Sequence, residues 1–109
     1  MKIAIRKDKY RKTRGGYSRI LNLSCENCKV HICNYQKDGP GILKRLYLDR
    51  ISESKKYSGL ESNPIKEIPN LICDKCNKVL GVPYIYDKEK RLSFRLFVGA
   101  IHKKIIKNV

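Results

Sequence analysis

The chain has 109 residues; Lys and Arg number 25 against 10 Asp and Glu, for a formal charge of +15. That length suits one small domain, or one with a tail, and excludes two full cores. An apolar content of 41% argues against wholesale disorder, the absence of Trp excludes a tryptophan cage, and no apolar run approaches the ~20 residues of a membrane helix.

Residues 1–19 carry Lys2, Arg6, Lys7, Lys9, Arg11, Lys12, Arg14 and Arg19 against Asp8 alone, and Gly15-Gly16 breaks whatever precedes it. They read as a basic arm, with at most one short strand at residues 2–6. The early apolar run Ile3-Ala4-Ile5 is too short for a signal-peptide core. Residues 20–109 read as a single domain. Ile20-Leu21-Asn22-Leu23 leads into Cys25-Glu26-Asn27-Cys28, and Val30–Tyr35 reads as a strand with Val30, Ile32 and Asn34 on one face. Lys37-Asp38-Gly39-Pro40-Gly41 is a turn signal, and the hairpin it suggests makes a strand of Ile42–Ile51, although a helical period through Ile42 and Leu46 also fits. Residues 52–64 read as a loop. Pro69 limits Ile65–Ile72 to a short edge strand. After Cys73-Asp74-Lys75-Cys76 come a strand at Val79–Tyr86, a polar turn at Asp87–Lys90 and an alternating strand at Leu92–Val98. Ile101 and Ile105, four apart, fit a short terminal helix over Ala100–Lys107, with a strand continuation as the alternative. The expected class is mainly β: a small zinc-stapled antiparallel domain, β-tent or zinc-ribbon-like.

Four of the five cysteines form two Cys-x-x-Cys pairs, Cys25/Cys28 and Cys73/Cys76. Such a pair lets both sulfurs point at one ion from a tight knuckle, and two knuckles supply the four thiolates of a structural zinc. The competing reading, redox dithiols or disulfides, expects a helix opening after a strand; here each pair precedes more strand pattern. The 44 residues between Cys28 and Cys73 exceed the ~15–20 of common four-cysteine ribbons, so the intervening stretch must belong to the fold. Lys29, Lys75 and Lys78 stand close enough in sequence to offset a four-thiolate site. Cys33 reads as a small buried hydrophobe. His31 and His102 read as structural or solvated, because four sulfurs complete the site. Cysteines used as metal ligands fit a reduced, cytoplasmic setting.

Two knuckles about 45 residues apart, the second followed by Leu80-Gly81-Val82-Pro83-Tyr84, resemble the β-tent superfamily over roughly residues 20–100. That superfamily includes Yippee-like proteins, the thalidomide-binding domain of cereblon, methionine sulfoxide reductase B and the RNA-sensing C-terminal domain of innate-immune helicases. Yippee-like proteins follow their second pair with Leu-Gly-Trp-Lys-Tyr; Val82 occupies the Trp position here. The resemblance implies a zinc-stapled pair of sheets. The ligand cage of the cereblon type and the late-strand nucleophilic cysteine of the reductase have no counterpart after Cys76.

The charge calls for an acidic partner, and nucleic acid is the commonest. The leading expectation is a zinc-stabilised nucleic-acid-binding protein that engages RNA or a ribonucleoprotein, such as the ribosome, through phosphates. Its expected contacts are Arg6, Lys7, Lys9, Arg11, Lys12, Arg14 and Arg19 in the arm, with Lys103, Lys104 and Lys107 as a second region. Tyr10 and Tyr17 would be available for stacking. On this reading the arm is mobile, and deleting residues 1–16 leaves the core folded. The alternative is a protein-interaction adaptor. No credible acid–base set is visible, so an enzyme, a small-molecule substrate and a membrane partner are not expected.

Overall fold

The computed structural model describes residues 5–106, and its described residues form two four-stranded antiparallel sheets. The first has the order β4-β2-β1-β8, from β1 (Ser18–Cys25), β2 (His31–Asp38), β4 (Ile51–Ser52) and β8 (Ile101–Ile106). The second has the order β3-β7-β6-β5, from β3 (Arg45–Tyr47), β5 (Leu71–Ile72), β6 (Val79–Tyr86) and β7 (Arg91–Leu96). Among the described residues no helix is long and apolar enough to cross a membrane.

Alternation along each strand decides which residues meet between the sheets. Leu21, Leu23 and Cys25 of β1 turn inward with Cys33 and Tyr35 of β2, Leu46 of β3, Leu80 of β6 and Phe94 of β7. Tyr57, from the 52–64 loop, packs edge-on against Phe94 at 5.6 Å between ring centres. Its hydroxyl accepts the Ile72 N–H at 3.0 Å, tying that loop to β5. Cys33 is wholly buried among these apolar groups, and burial pushes its thiol up to about 12. The inward face of β2 is thus the odd-numbered one, the reverse of the face expected from Val30, Ile32 and Asn34.

Three expectations change. The Gly39-Pro40-Gly41 turn does not close a hairpin: β2 pairs with β4, whereas β3 crosses to the second sheet and pairs with β7, Leu46 opposite Phe94. Between β3 and β4 the chain makes a 3-10 turn at Leu48–Arg50 rather than one continuous strand. Residues 101–106 form β8, paired with β1 from Cys25↔Ile101 to Ile20↔Ile106, instead of the helix expected over Ala100–Lys107, whose last residue lies outside the described residues. The ladder to β1 gives every other backbone group of this segment a partner, which an isolated helical turn with one apolar pair could not match.

The basic segment is folded and docked. Asp8 caps a short helix, α1 (Lys9–Thr13), accepting the N–H groups of Tyr10 and Arg11. Gly15 and Gly16, both at positive φ, end it. Tyr17 then leads into β1. The strand expected at residues 2–6 falls mostly outside the described residues.

Candidate functional site

The two Cys-x-x-Cys pairs occupy equivalent loops, one in each sheet. The first joins β1 to β2 and the second joins β5 to β6. Their hydrogen bonds repeat. Cys25 N–H donates to Val30 O and Lys29 N–H to Cys25 O; likewise Cys73 N–H donates to Lys78 O and Asn77 N–H to Cys73 O. Lys29 and Asn77, each just after the second cysteine of its pair, take φ of 64° and 61°. This left-handed residue turns the chain back into its strand and aims both sulfurs the same way.

All four sulfurs lie within 4.8 Å of one another. Cys25 Sγ and Cys76 Sγ are 3.7 Å apart, and Cys28 Sγ and Cys73 Sγ 3.4 Å. Disulfides need about 2.05 Å, whereas the edge of a tetrahedron with 2.3 Å metal–sulfur bonds is about 3.8 Å. The four cysteines expected to be ligands therefore form one cluster that could hold a metal ion. Cys25 and Cys73 are buried and Cys28 and Cys76 half-buried. At one sulfur the surroundings favour thiolate: the Asn27 side-chain amide and the Lys78 backbone N–H hold Cys76 down to about 6. Cys28 receives the Val30 N–H in the same way, but desolvation and the neighbouring thiols outweigh it and push its thiol up to about 11. Lys29 pairs with Glu26 at 3.0 Å, beside the cluster.

The expected nucleic-acid residues divide by role. Arg6, Lys7, Lys9 and Lys12 are exposed. The Arg6 N–H nevertheless donates to the Gln36 side chain at 2.7 Å, which seats this stretch on β2. Arg11 donates to Ser18 Oγ at 2.9 Å. Arg14 is committed within the protein: both its terminal nitrogens lie 2.9 Å from Glu89, and one also donates to Tyr47 Oη. Arg19 is partly buried, and its Nε finds no partner among the described residues. Lys103 and Lys104 are exposed but alternate across β8. Lys103 stands beside Leu23 on the inward side and Lys104 beside Asn22 on the outward side, so they do not form one contact region. Lys107 lies outside the described residues.

Sequence spacing missed a second cationic surface. On the outward face of the second sheet, Val82, Arg95 and Arg45 form one cross-strand row, Tyr84, Ser93 and Tyr47 the next, and Tyr86 and Arg91 the third. Arginine and tyrosine stack across it. Arg45 lies 4.3 Å from the Tyr86 ring centre and Arg95 5.9 Å from that of Tyr84. Arg91 sits between the rings of Tyr10 and Tyr47, at 4.1 and 3.8 Å. Helix α1 covers the Tyr47–Arg91 end, while Arg95 and Tyr84 are exposed and Arg45 and Tyr86 half-buried. Tyr10 is therefore a packing residue; Tyr17 is 46% exposed. The face continues into a groove of about 630 Å³ lined by Lys44, Arg45, Arg95 and Lys103 together with Ile42, Phe97 and Val98. Among the described residues no carboxylate lines it. The alternation Ser93, Arg95, Phe97 was visible in the sequence; what hid the surface was that Arg45 joins it only through the crossing of β3.

Comparison with family models, with curated proteins and with solved structures found no match to this chain.

Proposed function

We propose that this protein is a zinc-stabilised basic domain that binds nucleic acid, RNA in preference to DNA. The observation that carries this reading is the outward face of the second sheet, where Tyr84 and Tyr86 lie among Arg45 and Arg95. Aromatic rings on an open sheet stack unpaired bases, and neighbouring guanidiniums neutralise the phosphates. Unstacked bases are a feature of folded RNA, and a cytoplasmic ribonucleoprotein is the matching partner. The ion is zinc because four thiolates at tetrahedral spacing are the donor set of a closed structural site. Two antiparallel sheets that each contribute one knuckle support the β-tent reading. Binding rather than catalysis is the role proposed for the domain.

The test is anisotropy with a labelled single-stranded RNA, an RNA hairpin and a DNA duplex at several salt concentrations. Affinity should fall steeply with salt, and single strands and loops should bind best. Tyr84→Ala should weaken binding about tenfold, the worth of one stacked base. Arg95→Gln should lower the magnitude of the log–log salt slope by about 0.7 on single strands. No measurable affinity at low salt would refute this reading. It would move the assignment to a protein-interaction adaptor, which the exposed Ile42, Phe97 and Val98 of the groove favour.

A further inference from the structure

Where the chain leaves β2 for β3, Pro40 borders a second cavity of about 130 Å³, which shares Ile42, Leu43, Lys44 and Arg45 with the groove and is well above the ~10–15 Å³ that one water needs. Four cations line it: Arg14, Lys37, Lys44 and Arg45. The one carboxylate there among the described residues, Asp38, is already occupied, accepting from Ser18, Gln36 and Arg50. Lys37 is 8% exposed, which is unusual for a lysine without a carboxylate partner. Its ammonium donates to Gly39 O at 2.9 Å, and an ammonium has three donors. Arg14 and Arg45 converge from two sides on the Tyr47 hydroxyl oxygen, at 3.1 and 3.4 Å. Burial holds the pKa of Lys37 below its ordinary value, and the charges of Arg19, Lys103 and Arg14 act in the same direction. Of these cations only Lys37 is buried, and Arg14 already pairs with Glu89; a buried ammonium with no carboxylate partner among the described residues is costly unless an anion joins it.

We propose that this cavity binds a phosphate group, with Lys37 as its buried donor and Lys44 and Arg45 as further donors. A tetrahedral oxyanion accepts from several cationic donors at once, which a carboxylate of similar size does less well. The source favoured here is a backbone phosphate of the nucleic acid proposed above. Only that choice of source rests on the nucleic-acid reading; the pocket itself does not.

The experiment uses the full chain with its metal bound and titrates inorganic phosphate by calorimetry in chloride buffer. One saturable site is expected. Lys37→Gln should weaken it about tenfold, the worth of one charge-assisted hydrogen bond. Lys44→Gln, at an exposed position that threatens no packing, should weaken it several-fold even if Lys37→Gln does not fold. Lys66→Gln, in the 65–67 turn, should leave it unchanged. Addition of a single-stranded RNA then separates the sources. Displacement of phosphate assigns the pocket to a nucleic-acid phosphate. Phosphate that stays bound assigns it to a free phosphate or small phosphoester and counts against the nucleic-acid source alone. Absence of phosphate binding at millimolar concentrations, or equal affinity in wild type, Lys37→Gln and Lys44→Gln, would overturn the pocket.

Discussion

Arg50 has a side chain only 1% exposed, and it survives there because carboxylates surround it: Asp8 at 2.6 Å, Asp38 at 2.9 Å and Asp49 at 3.7 Å. Removing one partner of a buried pair costs more than the pair contributes, because the other charge stays behind. Arg50→Leu strands Asp38 and should destabilise the fold by about 3–5 kcal/mol in urea unfolding. Asp8, half-buried, is the most exposed member of the group. Burial alone would raise its pKa, but the hydrogen bonds from Arg50 and the Arg11 N–H, with the charges of Arg50 and Arg91, hold it down to about 2. A depressed carboxylate stabilises the fold above its unfolded pKa of ~3.9 and loses that effect as pH falls through the folded value. Asp8→Asn should therefore cost about 1 kcal/mol, a figure discounted for the solvent at this side chain. The gap from wild type should stay flat between pH 5 and pH 8 and narrow only below about pH 4. A gap that already changes at pH 6 would assign the effect to another group.

At the scale of elements, the two knuckles are near copies, and their left-handed residues offer a clean test. Asn77→Gly should be close to neutral in thermal unfolding. Asn77→Val, which cannot take φ near 61° without strain, should cost about 1–2 kcal/mol. Cys25→Ser or Cys76→Ser should abolish metal binding and, with it, folding, because a structural site couples the two. Cys33→Ser should keep the metal and lose only about 1–3 kcal/mol for a buried hydroxyl. Elemental analysis with circular dichroism checks all three. The knuckles were legible in the sequence because their geometry is set within six residues. The docking of Arg14 on Glu89, 75 residues away, was not, since nothing local distinguishes it from its solvated neighbours. The strands were legible from alternation, yet not their partners: the departure of β3 from β2 depends on Leu46 finding Phe94, which no turn signal encodes. β8 separates two lysines that the sequence grouped. Lys103→Glu, at the groove, should weaken RNA binding more than Lys104→Glu on the opposite side; equal losses would place the ligand across the strand edge.

On the scale of the whole molecule, the sheets are joined at both ends. The cysteine cluster joins them where β1 meets β2 and β5 meets β6. At the far ends of these strands, the N-terminal segment joins them again, through Asp8 to Arg50, Arg6 to Gln36 and Arg14 to Glu89. Gly39 shows how close this docking is. It has φ of 71°, its N–H donates to Tyr17 O, and an added Cβ would run into the Arg14 carbonyl. Deleting residues 1–16 would remove these bonds and uncover Tyr47 and Arg91. It should lower Tm by about 10 °C or more, at roughly 4–8 °C per kcal/mol for a domain of this size. An unchanged Tm would restore the free-arm picture. The join at the cysteines differs in kind, because its strength depends on the surroundings. One ion held by the folded chain and not by the unfolded one makes stability a function of metal supply, falling by about 1.4 kcal/mol for every tenfold drop in free metal above the dissociation constant. Against a total of about 5–15 kcal/mol for a small domain, a few decades of scarcity would empty the folded population. With zinc as the proposed ion, unfolding midpoints in a series of zinc buffers should follow that slope for one ion per chain, and the amount of folded protein would then serve as a gauge of the zinc available to it.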